Sequence, residues 1–118
     1  MWVEPDTNIT GGESLVRQNL MGLQFWNEEF GVEVKNMWEP DVFGYSAALP
    51  QILKRSGVDY MMTQKLSWNT VNFFPHHSFL WTGIDGTSCL VHTLPEVGIV
   101  NSGSPLTSLV ASHVGGSS

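Results

Sequence analysis

Cysteine is almost absent: Cys89 is the only one in 118 residues, so no disulfide can close within the chain, and there is no Cys/His cluster at zinc-finger spacing. That usage tilts toward a reducing compartment such as the cytoplasm. Basic residues are scarce too. Five Lys and Arg stand against eleven Asp and Glu, a formal net charge of −6, and they never gather into a basic stretch. Binding to phosphate backbones depends on such a stretch, so no nucleic-acid partner is expected. No apolar run approaches the roughly 18–20 residues of a membrane span, and Met1–Asn8 lacks the basic and apolar regions of a secretory signal. The expectation is a soluble chain of one domain, or part of one, since domains commonly run to roughly 100–150 residues. Aromatic residues, by contrast, are plentiful. Five Trp and six Phe suit a sugar-sized cleft, and they suit a buried core equally well.

Local patterns give an alternation of helix and strand. Thr10-Gly-Gly-Glu13 fits a capping box, in which the Thr hydroxyl and the Glu carboxylate satisfy the free amides of a helix start. Leu15, Val16, Leu20, Leu23, Trp26 and Phe30 follow at spacings of three and four, which predicts one apolar stripe on a helix over 12–30, stopped by Gly31. Val32, Val34, Met37 and Trp38 are β-prone, and Pro40 ends that strand because it cannot donate to a ladder. Residues 46–56 read as a second helix with Pro50 in its first turn and Gly57 after it, and residues 60–64 as a second buried strand. Strand, helix, strand over 32–64 is a βαβ unit of a parallel sheet. Farther on, residues 78–81 and 88–92 flank Asp85-Gly86, a pair that favours a type I′ hairpin turn. Beyond residue 96 the composition shifts to Gly, Ser, Thr and small apolar residues without period, so 97–118 reads as a weakly ordered tail.

In parallel α/β sheets ligands gather at the C-terminal ends of strands, where loops converge. Asp41 and Lys65 both fall there. A lone Asp between strand and helix is most often a helix cap, and on composition alone the two readings of Asp41 stay open. A run of motifs adds to this: Trp2-Val-Glu-Pro-Asp-Thr-Asn8, Gly12-Glu-Ser-Leu-Val-Arg-Gln18, Trp38-Glu-Pro-Asp-Val-Phe-Gly-Tyr-Ser-Ala-Ala-Leu-Pro-Gln51, Thr63-Gln-Lys-Leu-Ser-Trp-Asn69 and Phe74-Pro-His-His-Ser-Phe-Leu-Trp81. In content and order, over about residues 1–95, they resemble glycoside hydrolase family 38, the class II α-mannosidases.

That resemblance implies a chemistry. The Asp of the family's W-x-P-D-x-F-G-[YH]-S motif, here Asp41, is the nucleophile of a retaining α-mannosidase and also a ligand of its Zn²⁺. A retaining glycosidase sets two carboxyl groups roughly 5–5.5 Å apart, one attacking the anomeric carbon and the other protonating the leaving oxygen. The remaining zinc ligands and the acid/base belong to family segments that this chain does not contain. The implied substrate is a glycan bearing terminal α-linked mannose, and the implied fold is α/β, with residues 1–96 as part of a distorted seven-stranded (β/α)-barrel of the glycoside hydrolase/deacetylase kind. Lys65 matches a family Lys or Arg close to the nucleophile. Asp6 matches a Pro-Asp pair at the barrel mouth, although capping a helix entry is its plainer role, and Tyr45 either lines the cleft or fills space.

Several other residues carry plainer readings. Glu39 stands where many relatives have an uncharged residue. His76 and His77 are adjacent and would point to opposite faces of an extended segment, which is poor geometry for sharing one metal ion. His92 reads as a structural histidine, and Trp68 as either a core residue or a sugar platform. Two other classes stay open: a non-catalytic fragment or carbohydrate-binding module, and a metal-dependent polysaccharide deacetylase. The deacetylase would call for a His-x-x-x-His pair, which these residues lack.

Overall fold

The computed structural model describes residues 1–68, 71–72 and 74–94. Helix α1 occupies Gly12–Phe30, the bounds the periodicity predicts. Its C-terminus is closed by Gly31 at φ 65°, whose N–H donates to the Asn27 carbonyl at 3.0 Å. The capping box does not form. Gly11 takes the N-cap position without a side-chain bond, and the Glu13 carboxylate accepts instead from Arg17 Nε, one turn along, at 2.8 Å.

The stripe is also different from the one expected. Leu15, Asn19 and Gly22 are the buried positions, while Leu20, Trp26 and Phe30 are exposed. The cause is the Met1–Val3 segment lying across the helix: Trp2 N–H donates to the Gln18 carbonyl at 2.8 Å and Val3 N–H to Gln18 Oε1 at 3.1 Å. This crossing is so close that a Cβ on Gly22 would sit 2.7 Å from the Met1 carbonyl carbon.

Strands β1 (Asn36–Glu39), β2 (Tyr60–Thr63), β3 (Ser78–Thr82) and β4 (Ser88–Thr93) form one sheet in the order β1-β2-β4-β3. β1 starts later than predicted, with Val32 and Val34 outside it. It ends before Pro40, as expected from the missing donor. β1 is parallel to β2 and β2 to β4, whereas β3 runs antiparallel to β4. Helix α2 is shorter than predicted, Leu49–Arg55, with Pro50 in its first turn. The chain is thus α/β, with a βαβ unit and a hairpin. Its mixed sheet is open and does not close into a barrel among the described residues.

The hairpin turn is not type I′, because that type needs positive φ at both central residues, and among the described residues only glycines have it. The Gly86 N–H instead closes on the Gly83 carbonyl at 3.1 Å, and Gly86 then takes φ 84°. This is a turn followed by a left-handed glycine. The tail expected at 97–118 lies outside the described residues.

Alternation along the strands sorts the side chains onto two faces. Met37, Met61, Cys89 and Val91 pack under Leu49 and Leu53 of α2 and, with Val58, form the core. On the opposite face Asn36, Tyr60, Leu90 and Leu80 stand in register, beside the row Trp38, Met62, His92 and Ser78. Trp38, Tyr60, Leu80 and Leu90 there are exposed.

Candidate active site

Because β1 and β2 are parallel and Glu39 pairs with Thr63, the residues that follow them leave the same end of the sheet. Asp41 and Lys65 meet there: Lys65 Nζ forms an ion pair with Asp41 Oδ1. The Lys65 side chain is only 10% exposed, while that of Asp41 is 70% exposed and open to an incoming ligand.

The Asp41 loop is held from three directions. Its own N–H donates to Glu4 Oε1. Thr7, which is buried, donates its hydroxyl to the Gly44 carbonyl at 3.1 Å and accepts the Ser46 N–H at 2.9 Å. The Gln64 N–H donates to the Pro40 carbonyl at 3.3 Å. Sequence reasoning missed Glu4 and Thr7 in this role. They bond to residues 37 and 39 positions away, and only the family motif around Trp2–Asn8 hinted that the segment matters.

Lys65 opens a one-turn 3₁₀ helix, Lys65–Trp68. In such a helix side chains three apart eclipse, which brings the Trp68 ring under the ammonium at 3.5 Å from Nζ to the ring centroid. Phe43, two residues past Asp41, approaches the same ammonium at 4.6 Å. The Phe43 and Trp68 rings meet edge to face with centroids 6.1 Å apart. The turn is fixed by the Ser67 hydroxyl donating to the Gln64 carbonyl at 2.7 Å and by the Lys65 N–H donating to Thr63 Oγ1 at 3.3 Å.

The other sequence-derived candidates lie differently. The Asp6 carboxylate accepts the N–H groups of Asn8 and Ile9 at 2.9 and 3.1 Å, so it closes a local turn and does not cap α1. Tyr45 is half-buried. Its hydroxyl bonds with that of Thr63, burial raises its pKa, and its ring lines a cavity of about 310 Å³ with Met61, Leu66, Phe74, Phe79, Trp81 and Val91. Neither Asp41 nor Lys65 lines that cavity. His92 Nδ1 bonds with the Ser78 hydroxyl at 2.8 Å across the hairpin.

Glu39, one strand position before Pro40, is fully buried, and neither carboxylate oxygen has a hydrogen-bond partner among the described residues. Burial, with a smaller contribution from the nearby Glu4 charge, pushes its pKa up to about 8.

A zinc ion needs several donors converging on one point. Among the described residues no group of three or more His, Cys, Asp and Glu side chains does so. These residues offer Asp41 as a single carboxylate, already facing an ammonium, and do not by themselves build a zinc site.

Comparison with known proteins bears on the family of the chain. Residues 1–108 match the family described as Glycosyl hydrolases family 38 N-terminal domain, and the chain belongs to that family. The match runs past residue 95, where the individual motifs fade. The chain is 54% identical over 94 residues to alpha-mannosidase 2C1 of Mus musculus, covering 80% of this chain and 9% of that protein. It is 53% identical over 94 residues to an alpha-mannosidase of Saccharomyces cerevisiae, with coverage of 80% and 9%. To alpha-mannosidase G of Dictyostelium discoideum it is 47% identical over 111 residues, 94% of this chain and 10% of that protein. It therefore spans about a tenth of the length of these curated relatives. No helix among the described residues is long and apolar enough to cross a membrane.

Proposed function

We propose that this chain is the nucleophile-bearing part of the catalytic domain of a retaining α-mannosidase, and that its open sheet is an arc of a (β/α)-barrel. An Asp41 carboxylate oxygen bonds to the anomeric carbon of a terminal α-linked mannose as the bond to the leaving oxygen breaks. An acid outside this chain protonates that oxygen, and water then cleaves the glycosyl ester with retention. The observation that carries this reading is the exposed Asp41 carboxylate, aimed by Lys65 from the neighbouring parallel strand. Lys65 keeps the nucleophile oriented before attack, a service measured in kcat rather than in binding. Zinc belongs to this reading as the family's expected cofactor, with Asp41 as one ligand and the others supplied from outside the described residues.

The test is Asp41→Asn in the full-length protein, assayed on an aryl α-mannoside at saturating zinc. The change preserves volume and removes the attacking charge, so kcat should fall by roughly a thousandfold or more. A fluorinated mannosyl fluoride should leave a covalent sugar on the peptide containing Asp41 in the unmutated protein. Retention of about a tenth of kcat by the Asn variant, or an adduct on another peptide, would remove Asp41 from the role.

A further inference from the structure

The geometry points to Trp68 as a positioning residue of the active site, one that holds the Lys65 ammonium against Asp41. The inference rests on the proposed role of Asp41 and adds to it a residue that never touches the sugar's reacting carbon.

Lysine has a flexible four-carbon stem and a compact, strongly hydrated charge, so an ion pair to a carboxylate that is 70% exposed does not by itself hold one geometry. Here the ammonium is confined from other sides. Trp68 lies 3.5 Å from Nζ to its ring centroid and Phe43 lies 4.6 Å away. Both distances are well inside the roughly 6 Å over which a ring face attracts a cation, and indole is the strongest of the natural rings in this respect. The Lys65 side chain is consequently 10% exposed although it sits at the rim of the sheet.

The arrangement is built into the backbone. The 3₁₀ turn Lys65–Trp68 eclipses positions three apart, and the Ser67 and Thr63 hydroxyls pin that turn to the end of β2. Trp68 is itself 56% exposed, which is poor use of a large ring for core packing alone. Phe43 is carried on the same loop as Asp41. Trp68 is carried by the other strand, so it is the residue that fixes the cation relative to the sheet.

The experiment uses the full-length protein at saturating zinc with an aryl α-mannoside. Trp68→Leu should lower kcat about tenfold with KM little changed, while Trp68→Tyr and Trp68→Phe, which keep a π face, should restore most of it. In a Lys65→Met background, Trp68→Leu should cost nothing further, because the group it holds is gone. Trp68→Met keeps much of the packing volume and no ring, and should show the same roughly tenfold loss in kcat while folded if the Leu variant folds poorly.

Equal activity of Trp68→Leu and the parent would overturn the inference. So would a Trp68→Leu loss undiminished in the Lys65→Met background, or Tyr and Phe variants no better than Met. If Asp41→Asn is inactive while the Trp68 variants are indifferent, this inference alone fails. If Asp41→Asn is active, the proposed function fails with it.

Discussion

Replacing Glu39 by Gln should change how the stability of the protein depends on pH. A carboxyl group whose folded pKa is raised binds its proton more tightly in the native state than in the unfolded chain. Its contribution is therefore fully present below the unfolded value and is lost as pH rises through the folded value. For Glu39 those limits are 4.5 and about 8. The span is 8 − 4.5 = 3.5 pH units, which at about 1.4 kcal/mol per unit is about 5 kcal/mol in all, most of it already lost near neutrality. Glutamine has nearly the same shape and no charge to desolvate. It leaves an amide unpaired, a cost of roughly 1–3 kcal/mol that does not vary over this range. Thermal melts of the full-length protein and its Glu39→Gln variant, compared pair by pair across pH, cancel every other titrating group. The melting temperature of the variant relative to the parent should climb steadily between pH 4.5 and 8 and level off above. A difference that stays flat over that window would mean that Glu39 is ionised and paired in the native protein, and the reasoning from burial would be refuted.

Gly22→Ala should destabilise the protein by about 1–3 kcal/mol, since the new Cβ meets Met1 backbone at 2.7 Å and backbone cannot swing aside as a side-chain end can. A melting temperature equal to the parent's would show that the Met1–Val3 segment does not cross α1 as described. The 118-residue chain expressed alone should not hydrolyse an aryl α-mannoside, with or without added zinc, because its described residues assemble no set of three metal donors. Turnover that depends on zinc and disappears with a chelator would contradict this.

Features governed by neighbouring residues were legible in the sequence. Apolar spacing gave the extent of α1 and Gly31 its C-terminal stop, although the capping box expected at its start does not form, and Pro40 marked the end of β1. The face that α1 buries was not legible, since it is decided by Met1–Val3 lying across Gly22. The hairpin was legible but its turn type was not, because an Asp-Gly pair serves more than one turn and Asp85 uses its carboxylate to accept the Thr87 N–H at 3.0 Å. In the site, the meeting of Asp41 and Lys65 followed from two parallel strand ends. The family motif raised Asp41 above the many capping aspartates it resembles. Glu4 and Thr7 could not be foreseen from pattern alone, because a hydrogen bond across 37 or 39 residues leaves no local trace.

The face of the sheet opposite α2 carries Trp38, Tyr60, Leu80 and Leu90 into solvent. Sheets built from parallel strands are normally covered on both sides. If the chain is an arc of a larger domain, as proposed, a ribosome that has delivered this stretch and not its spatial neighbours displays a sticky apolar plate beside a strand edge unpaired among the described residues. Chaperones hold such surfaces, and quality-control proteases act on polypeptides that never bury them. On that same reading, a truncation that left this face uncovered would be felt first as a shortage of protein, before any question of catalysis arose.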